Sequence, residues 1–312
     1  MPLLDDLRAF LHSAAVAHEQ AGPTGFVHRC DTIELLEMYL GEFSAVDPRE
    51  QSEAAVKLRD QAFGMCRQLE DMNAVVVQQL RRDIETGKRL RGDLLSELQR
   101  YRAEPGESEP DGNLGYDSLD VLVSGILGID RMRDDDPPRT EPEMVPYQPT
   151  PARVILEVVK QACVDSHDIF VDLGSGLGIV PTLVSLLTGA TSIGIEVQPS
   201  YCLQAGECAR RLNISNVRFF CQDARSADFS VGTVFYMYTP FRGAMLKEVV
   251  QRLQEEGRRR SIRLCTYGPT LCEAVQEPGV NSFERILEAR GPVAIFRSRP
   301  DQGPSPFPVR DP

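Results

Sequence analysis

The segment Phe170-Val171-Asp172-Leu173-Gly174-Ser175-Gly176-Leu177-Gly178 runs an apolar stretch into an acid and then into three alternating glycines. Glycines at such a point let the chain turn sharply and let a ligand lie against bare main chain. The spacing is G-x-G-x-G, with Ile179 where a dinucleotide fingerprint carries its third glycine, and no Lys-Ser/Thr follows as in a phosphate loop. Asp172 just before the glycines suits a cationic ligand better than a pyrophosphate. Glu196 closes a second apolar run, Ser192–Glu196, and a carboxylate there can accept hydrogen bonds from both hydroxyls of a ribose. Gln222-Asp223-Ala224 follows a third run, Val217–Cys221, where an amide and a carboxylate can meet an adenine amino group. After a fourth comes Tyr236-Met237-Tyr238-Thr239-Pro240-Phe241, whose rings can surround a cationic nitrogen. Plainer roles compete at each position: a strand-end carboxylate at Glu196, a turn at 222–224, sheet packing for Tyr236 and Tyr238.

These residues need strands to carry them. Ile169–Leu173, Ser192–Glu196, Val217–Cys221, Thr233–Tyr238 and Ile262–Thr266 have strand composition, and Ile179–Leu187, Pro199–Leu212 and Arg242–Glu255 between them favour helix. Such alternation predicts a parallel sheet covered by helices on both faces, with ligands bound at the carboxyl ends of the strands. Phe283–Ala289 and Val293–Arg297, joined at Gly291-Pro292, predict a closing hairpin. The first hundred residues differ in character. Residues 3–20, 31–45 and 48–103 are rich in helix formers; Asp31-Thr32-Ile33-Glu34 has a capping-box pattern, and Asp47-Pro48 pairs an N-cap with a first-turn proline. Val56, Phe63, Cys66, Leu69, Val76 and Leu80 recur at helical spacing as a packing face, and Gly87 and Gly92 are candidate breaks. The chain therefore divides into a helical N-terminal domain (1–103), a linker (104–146) with a short helix near 116–127, an α/β domain (147–300) and a flexible tail (301–312).

The net charge is −12, and it is uneven: −8 over residues 1–115, −5 over 116–150 and +1 over 151–312. Acidic surface repels a phosphate backbone, so a nucleic-acid partner is disfavoured. Arg258-Arg259-Arg260 reads as a solvated turn. No apolar run approaches the ~18–20 residues of a membrane span, and the N-terminus lacks a signal-peptide pattern, so the expected location is cytoplasmic with no membrane partner. The eight cysteines form no Cys-x-x-Cys pair and are not grouped with the four histidines, so no metal site is expected. Cys221 and Cys265, within apolar runs, read as buried reduced thiols.

Taken together, the acidic glycine loop, the acid after the second strand and the Asp after the third resemble the seven-strand (class I) S-adenosylmethionine methyltransferases over about residues 147–300. The resemblance implies a doubly wound α/β sheet with a terminal antiparallel hairpin, preceded here by an all-helical N-terminal domain, and S-adenosylmethionine as cofactor. By it, Asp172, Gly174, Ser175 and Gly176 hold the methionine and ribose portion, Glu196 the ribose, and Asp223 with Ala224 the adenine. Val145-Pro146-Tyr147-Gln148-Pro149-Thr150-Pro151, ahead of the domain, is similar to a segment of two lysine-methylating groups. These are the non-SET histone-lysine methyltransferases and the small methyltransferases of mitochondrial carriers and ATP-synthase rings. That likeness implies that Tyr147 and Thr150 lid the cofactor, although Thr150 also reads as a helix N-cap and Pro151 as a first helical residue. Amino-methylating enzymes of this fold often carry Asn/Asp-Pro-Pro-Tyr/Phe after the fourth strand. This chain keeps Pro240 and Phe241 but has Tyr238-Thr239 in place of Asn/Asp-Pro, which makes Tyr238, Pro240 and Phe241 the candidate catalytic residues and argues against an adenine acceptor. The expected reaction is methyl transfer to an amine of a protein side chain, lysine first. Alternatives are a small-molecule or RNA acceptor, or a non-catalytic helical scaffold with an S-adenosylmethionine-binding fold. The N-terminal helices offer a surface for self-association.

Overall fold

Apolar residues of the central sheet alternate along each strand, and in a parallel register that alternation aligns across neighbours. Val171, Leu173, Ile195, Phe235, Met237, Leu264 and Phe296 fall on one face, where they form a core with Met245, Leu246, Val249, Val250 and Leu253. A computed structural model describes residues 2–17, 22–44, 52–88, 91–102, 115–129, 141–268, 283–287 and 293–300. They fall into two compact units, a helical one that includes residues 116–130 and a second that runs on from residue 131.

In the second unit the strands are β1 (Ile169–Leu173), β2 (Thr191–Glu196), β3 (Val217–Cys221), β4 (Val234–Tyr238), β5 (Arg263–Tyr267), β6 (Phe283–Leu287) and β7 (Val293–Ser298). Their order across the sheet is β3-β2-β1-β4-β5-β7-β6. The first five pair in parallel, and β7 runs antiparallel to both β5 and β6. The expected hairpin is present, while its joint at Gly291-Pro292 lies outside the described residues. The connecting helices are α6 (Ala152–Gln161), α7 (Ile179–Thr188), α8 (Pro199–Arg211) and α9 (Gly243–Arg259). At the strand starts, Arg263 donates to the carbonyls of Ala162 and Cys163 and to the Asp168 carboxylate, which also accepts from Thr233 Oγ1 at 2.7 Å. Burial pulls the Asp168 carboxyl upward, but these donors and the Asp165 amide outweigh it and hold the group below its ordinary range. Because β3 is an edge strand, Cys221 is exposed, contrary to the expectation from its apolar neighbours. Cys265, on interior β5, is buried as expected.

The helical unit contains α1 (Pro2–Ala17), α2 (Gly22–Ser44), α3 (Glu53–Glu85), α4 (Arg91–Gln99) and α5 (Ser118–Leu127). The capping-box reading at Asp31 is overturned: α2 runs through it, and Thr32 Oγ1 bonds back to the His28 carbonyl at 2.8 Å. The reason is packing. Phe26, Leu36, Leu40 and Phe43 are all buried on this helix, each contributing about 1.5–3 kcal/mol, against about 1 kcal/mol for a cap. The buried face of α3 is Ala55, Leu58, Ala62, Cys66, Leu69, Asn73 and Leu80, with Phe63 left half exposed. Small alanines let α2 and α3 approach, so the large apolar residues misstate the phase. α3 is capped by Ser52, whose hydroxyl accepts from the Ala55 amide at 3.2 Å; Asp47-Pro48 lies outside the described residues. Gly87 ends the helix with φ +64°, whereas Gly92 lies inside α4. α5, expected within the linker, groups with the helical unit: it carries the capping box Asp117/Asp120, and its Gly125 packs against Val77 of α3. No helix among the described residues is long and apolar enough to cross a membrane.

Candidate active site

The carboxyl ends of β1, β2, β3 and β4 open onto a cleft of about 970 Å³, counting the space at its mouth that is open to solvent. Its walls include Tyr147, Gly174, Glu196, Gln222, Asp223, Ala224, Tyr238, Pro240 and Phe241 from the candidate set. Thr150, Asp172, Ser175 and Gly176 do not line it.

Gly174, Gly176 and Gly178 all adopt left-handed φ (+85°, +51° and +76°), as a turn from β1 straight into α7 requires. Close approach adds a second demand. A Cβ on Gly174 would stand 2.4 Å from the Pro240 Cβ, and one on Gly176 would stand 2.1 Å from the Tyr147 ring. Gly174→Ala is therefore expected to lose about 2–5 kcal/mol in a thermal melt, from backbone strain plus overpacking against a rigid proline. Gly206→Ala on α8, where nothing lies within 4 Å, serves as the neutral control, and equal melting temperatures would contradict this packing.

Glu196 is fixed by two main-chain donors: Gly176 N–H at 2.8 Å and Gln198 N–H at 2.9 Å, one to each oxygen. The glycine loop is thereby tied to the end of β2, and each oxygen retains a lone pair for a ligand hydroxyl. Glu196→Ala is expected to weaken adenosyl-ligand binding tenfold or more, since charge-assisted hydrogen bonds contribute about 1.5–3 kcal/mol each. An unchanged dissociation constant in a folded variant would remove Glu196 from the ligand site.

Asp172 lies on the sheet face opposite Val171 and Leu173, the same face as Glu196, and is level in register with Gly194 on one side and Tyr236 on the other. It is 2% exposed, and burial together with the nearby Glu196 pushes its carboxyl well above the usual range. Neither influence is offset by a hydrogen bond or a nearby cation. A buried acid of this kind fits a ligand that brings a positive charge, as a sulfonium amino acid does.

A strap of residues 141–150 crosses the strand ends. Val145 N–H donates to the Pro240 carbonyl at 3.1 Å, Met144 bridges Phe241, and the Glu143 carboxylate accepts from the Ala244 and Met245 amides at the start of α9. Those two amides hold the Glu143 carboxyl below its ordinary range. Tyr147 lies over Gly176 and packs on Tyr201 (centroids 5.4 Å apart). Thr150 is not the N-cap of α6; Pro151 holds that position, and the Thr150 hydroxyl instead shares a 3.0 Å hydrogen bond with the buried Tyr236 hydroxyl.

Three candidates differ from expectation in detail. Ser175 turns its buried hydroxyl inward, toward the space above Gly194, away from the cleft. Asp223 has both oxygens taken by Arg225, which also reaches Glu141 in the strap, so its carboxyl is held low and is not a free acceptor. Phe241 is buried in the core as well as lining the cleft. Tyr238 has a partner the sequence did not disclose: Tyr267, its register mate on β5, with ring centroids 4.5 Å apart and planes tilted by 47°. Between them Thr239 takes a left-handed φ of +39°, its hydroxyl 3.4 Å from the Tyr267 carbonyl that it donates to. A common strand-end position was the available signal for Tyr267, and a place two residues past Glu196's proline turn was the signal for Tyr201.

Strand order with a terminal antiparallel hairpin, the left-handed glycine loop after β1 and the acid closing β2 define a class I S-adenosylmethionine-dependent methyltransferase. Residues 145–237 match the family model described as histone methylation protein DOT1, and the chain resembles that family. No match was found among curated protein sequences. Solved structures similar to the chain include an RNA methyltransferase from Salinibacter ruber in complex with S-adenosyl-L-homocysteine (24% identity, 51% of this chain and 97% of that one, TM-score 0.40). Others are the tRNA (m1A58) methyltransferase TrmI from Aquifex aeolicus (14%, 49% and 70%, 0.40) and a ribosomal protein L11 methylase from Lactobacillus delbrueckii subsp. bulgaricus (17%, 47% and 77%, 0.38). Among the described residues no cluster of His, Cys, Asp or Glu is arranged to hold a metal ion.

Proposed function

We propose that the methyl acceptor is the ε-amine of a lysine in a protein. The observation that carries this reading is the Tyr238–Tyr267 pair at the edge of the cleft, beside the Pro240–Gly174 contact. Two tilted rings present π faces and edges to a guest nitrogen, which suits an amine and gives an anionic or purely apolar acceptor no advantage. The match to a histone methylation family over residues 145–237 supports a protein acceptor. The basic cluster forms the last turn and C-cap of α9 and not, as expected, a solvated turn beyond it, and it offers little to a nucleic acid because Arg259 and Arg260 are paired with Glu256.

When bound, S-adenosylmethionine supplies a methyl already activated on a sulfonium. What remains for the chain is positioning, which can lower a barrier by roughly 7–11 kcal/mol. Asp172 would meet the positive charge at the amino-acid end of the cofactor, and Glu196 would hold the ribose. A lysine amine with an ordinary pKa of about 10.4 must first lose its proton. Tyr238, Tyr267 and Pro240 desolvate it, which favours the neutral form. Held between these side chains, the neutral amine would present its lone pair to the methyl that the bound cofactor would supply. Among the described residues no histidine lines the cleft.

The test is transfer of tritiated methyl into a cell lysate, digested separately with protease and nuclease. Label should be lost with protease, survive nuclease and appear as methyl-lysine after acid hydrolysis. Nuclease-sensitive label would make RNA the acceptor and overturn the proposal.

A further inference from the structure

Two thiols converge on the adenosine side of the cleft from different elements. Cys202, in the first turn of α8, donates its S–H to the Glu196 carbonyl at 3.5 Å; Cys221, the last residue of β3, donates to the Val197 carbonyl at 3.8 Å. Those carbonyls belong to consecutive residues, and Cys221 is the register partner of Glu196, so both sulfurs lie over one short stretch of chain. Each thiol thus spends its one proton on a separate carbonyl, and Cys221 stands near enough to Cys202 to act on it electrostatically. Burial first, then the neighbouring Cys221 and Glu196, push the Cys202 thiol up to about 12. Cys221 is exposed and Cys202 half-buried, so the first is open to a small oxidant and the second stands behind it. Each cysteine adjoins a cleft residue in the chain, Cys202 following Tyr201 and Cys221 preceding Gln222.

We propose that Cys202 and Cys221 form a reversible disulfide, a redox modification site that weakens cofactor binding. The oxidant is a peroxide. The Cys221 sulfur attacks the O–O bond and takes one oxygen as a sulfenic acid, releasing the other as water; the Cys202 sulfur then displaces that oxygen as a second water. Two thiols and one hydrogen peroxide give one disulfide and two waters. An S–S bond of about 2.05 Å replaces a looser thiol contact, so it draws the Glu196–Tyr201 rim toward Gln222 and narrows the space for adenosine. By linkage, bound cofactor must oppose closure of the bond to the same degree that the bond opposes the cofactor. The proposal rests on the assignment of Glu196 and Gln222 to the adenosine side.

The experiment treats the full chain with hydrogen peroxide, maps crosslinked peptides by mass spectrometry and titrates S-adenosylhomocysteine calorimetrically before oxidation, after it and after re-reduction. A Cys202–Cys221 crosslink should form, slow down with saturating S-adenosylhomocysteine, and weaken affinity tenfold or more until reduced. Cys221→Ser and Cys202→Ser should bind as the reduced wild type does and not respond, whereas Cys163→Ser, at another exposed thiol, should respond fully. Absence of the crosslink, or a crosslink that leaves affinity unchanged, overturns the proposal. Glu196→Ala titrated in the reduced state separates that outcome from failure of the adenosine assignment, because only the latter leaves the variant at wild-type affinity.

Discussion

Asp172→Asn is expected to bind S-adenosylmethionine at least tenfold more weakly and yet to melt at a higher temperature than the wild-type chain without ligand. Both effects follow from one carboxyl whose charge is opposed by burial and by the like charge of Glu196. An acid whose folded pKa is raised favours the fold below its ordinary value of about 3.9 and loses that contribution as pH rises through the folded value. At neutral pH the raised pKa of Asp172 is therefore a cost to the empty protein, and asparagine removes it while keeping the shape. The bound cofactor turns the same charge to use, since its positive groups compensate the acid, and deleting a charge-assisted contact costs about 1.5–3 kcal/mol. The difference in melting temperature between variant and wild type should narrow as pH falls toward the ordinary carboxylate range. Wild-type affinity in the variant, or a lower melting temperature at neutral pH, would show that Asp172 is already compensated inside the protein.

Tyr238→Ala should abolish methyl transfer while leaving cofactor affinity within a few-fold of wild type. Tyr238 ends β4 beside the glycine loop, whereas Glu196 and Gln222 lie toward the other end of the cleft, so its ring belongs to the acceptor half. Its contact with Tyr267 makes the two rings a unit, and removal of either leaves the other without its packing partner. Tyr238→Phe separates the roles: activity kept in Phe and lost in Ala identifies the π surface, while loss in both identifies the hydroxyl. Full activity in the Ala variant would return Tyr238 to sheet packing and remove the main support for an amine acceptor.

The α/β domain was legible because its information is local. Alternating apolar residues mark five strands to within a residue or so, and the glycine spacing and Glu196 each stand beside the turn they serve. What was hidden depends on which strands become neighbours. Tyr267 acquires meaning only when β5 lies beside β4, and Thr150 only when α6 brings it to Tyr236. Cys221 looked buried because its neighbours are apolar, but placement of β3 at the sheet edge is a fact of topology. In the helical unit, the helix former and cap signals at Asp31 and Thr32 lost to a continuous buried face, a competition that propensity alone cannot weigh. Asp223 shows the same limit at the site: its place after β3 was readable, its capture by Arg225 was not.

The central claim is that this cleft takes an adenosyl sulfonium and not a dinucleotide. Calorimetric titration of the purified chain with S-adenosylmethionine, S-adenosylhomocysteine and NAD tests it most directly. The glycine spacing, the buried Asp172 and the backbone-fixed Glu196 predict saturable binding of both adenosyl ligands and none of NAD. Binding of NAD with no heat from either adenosyl ligand would contradict it.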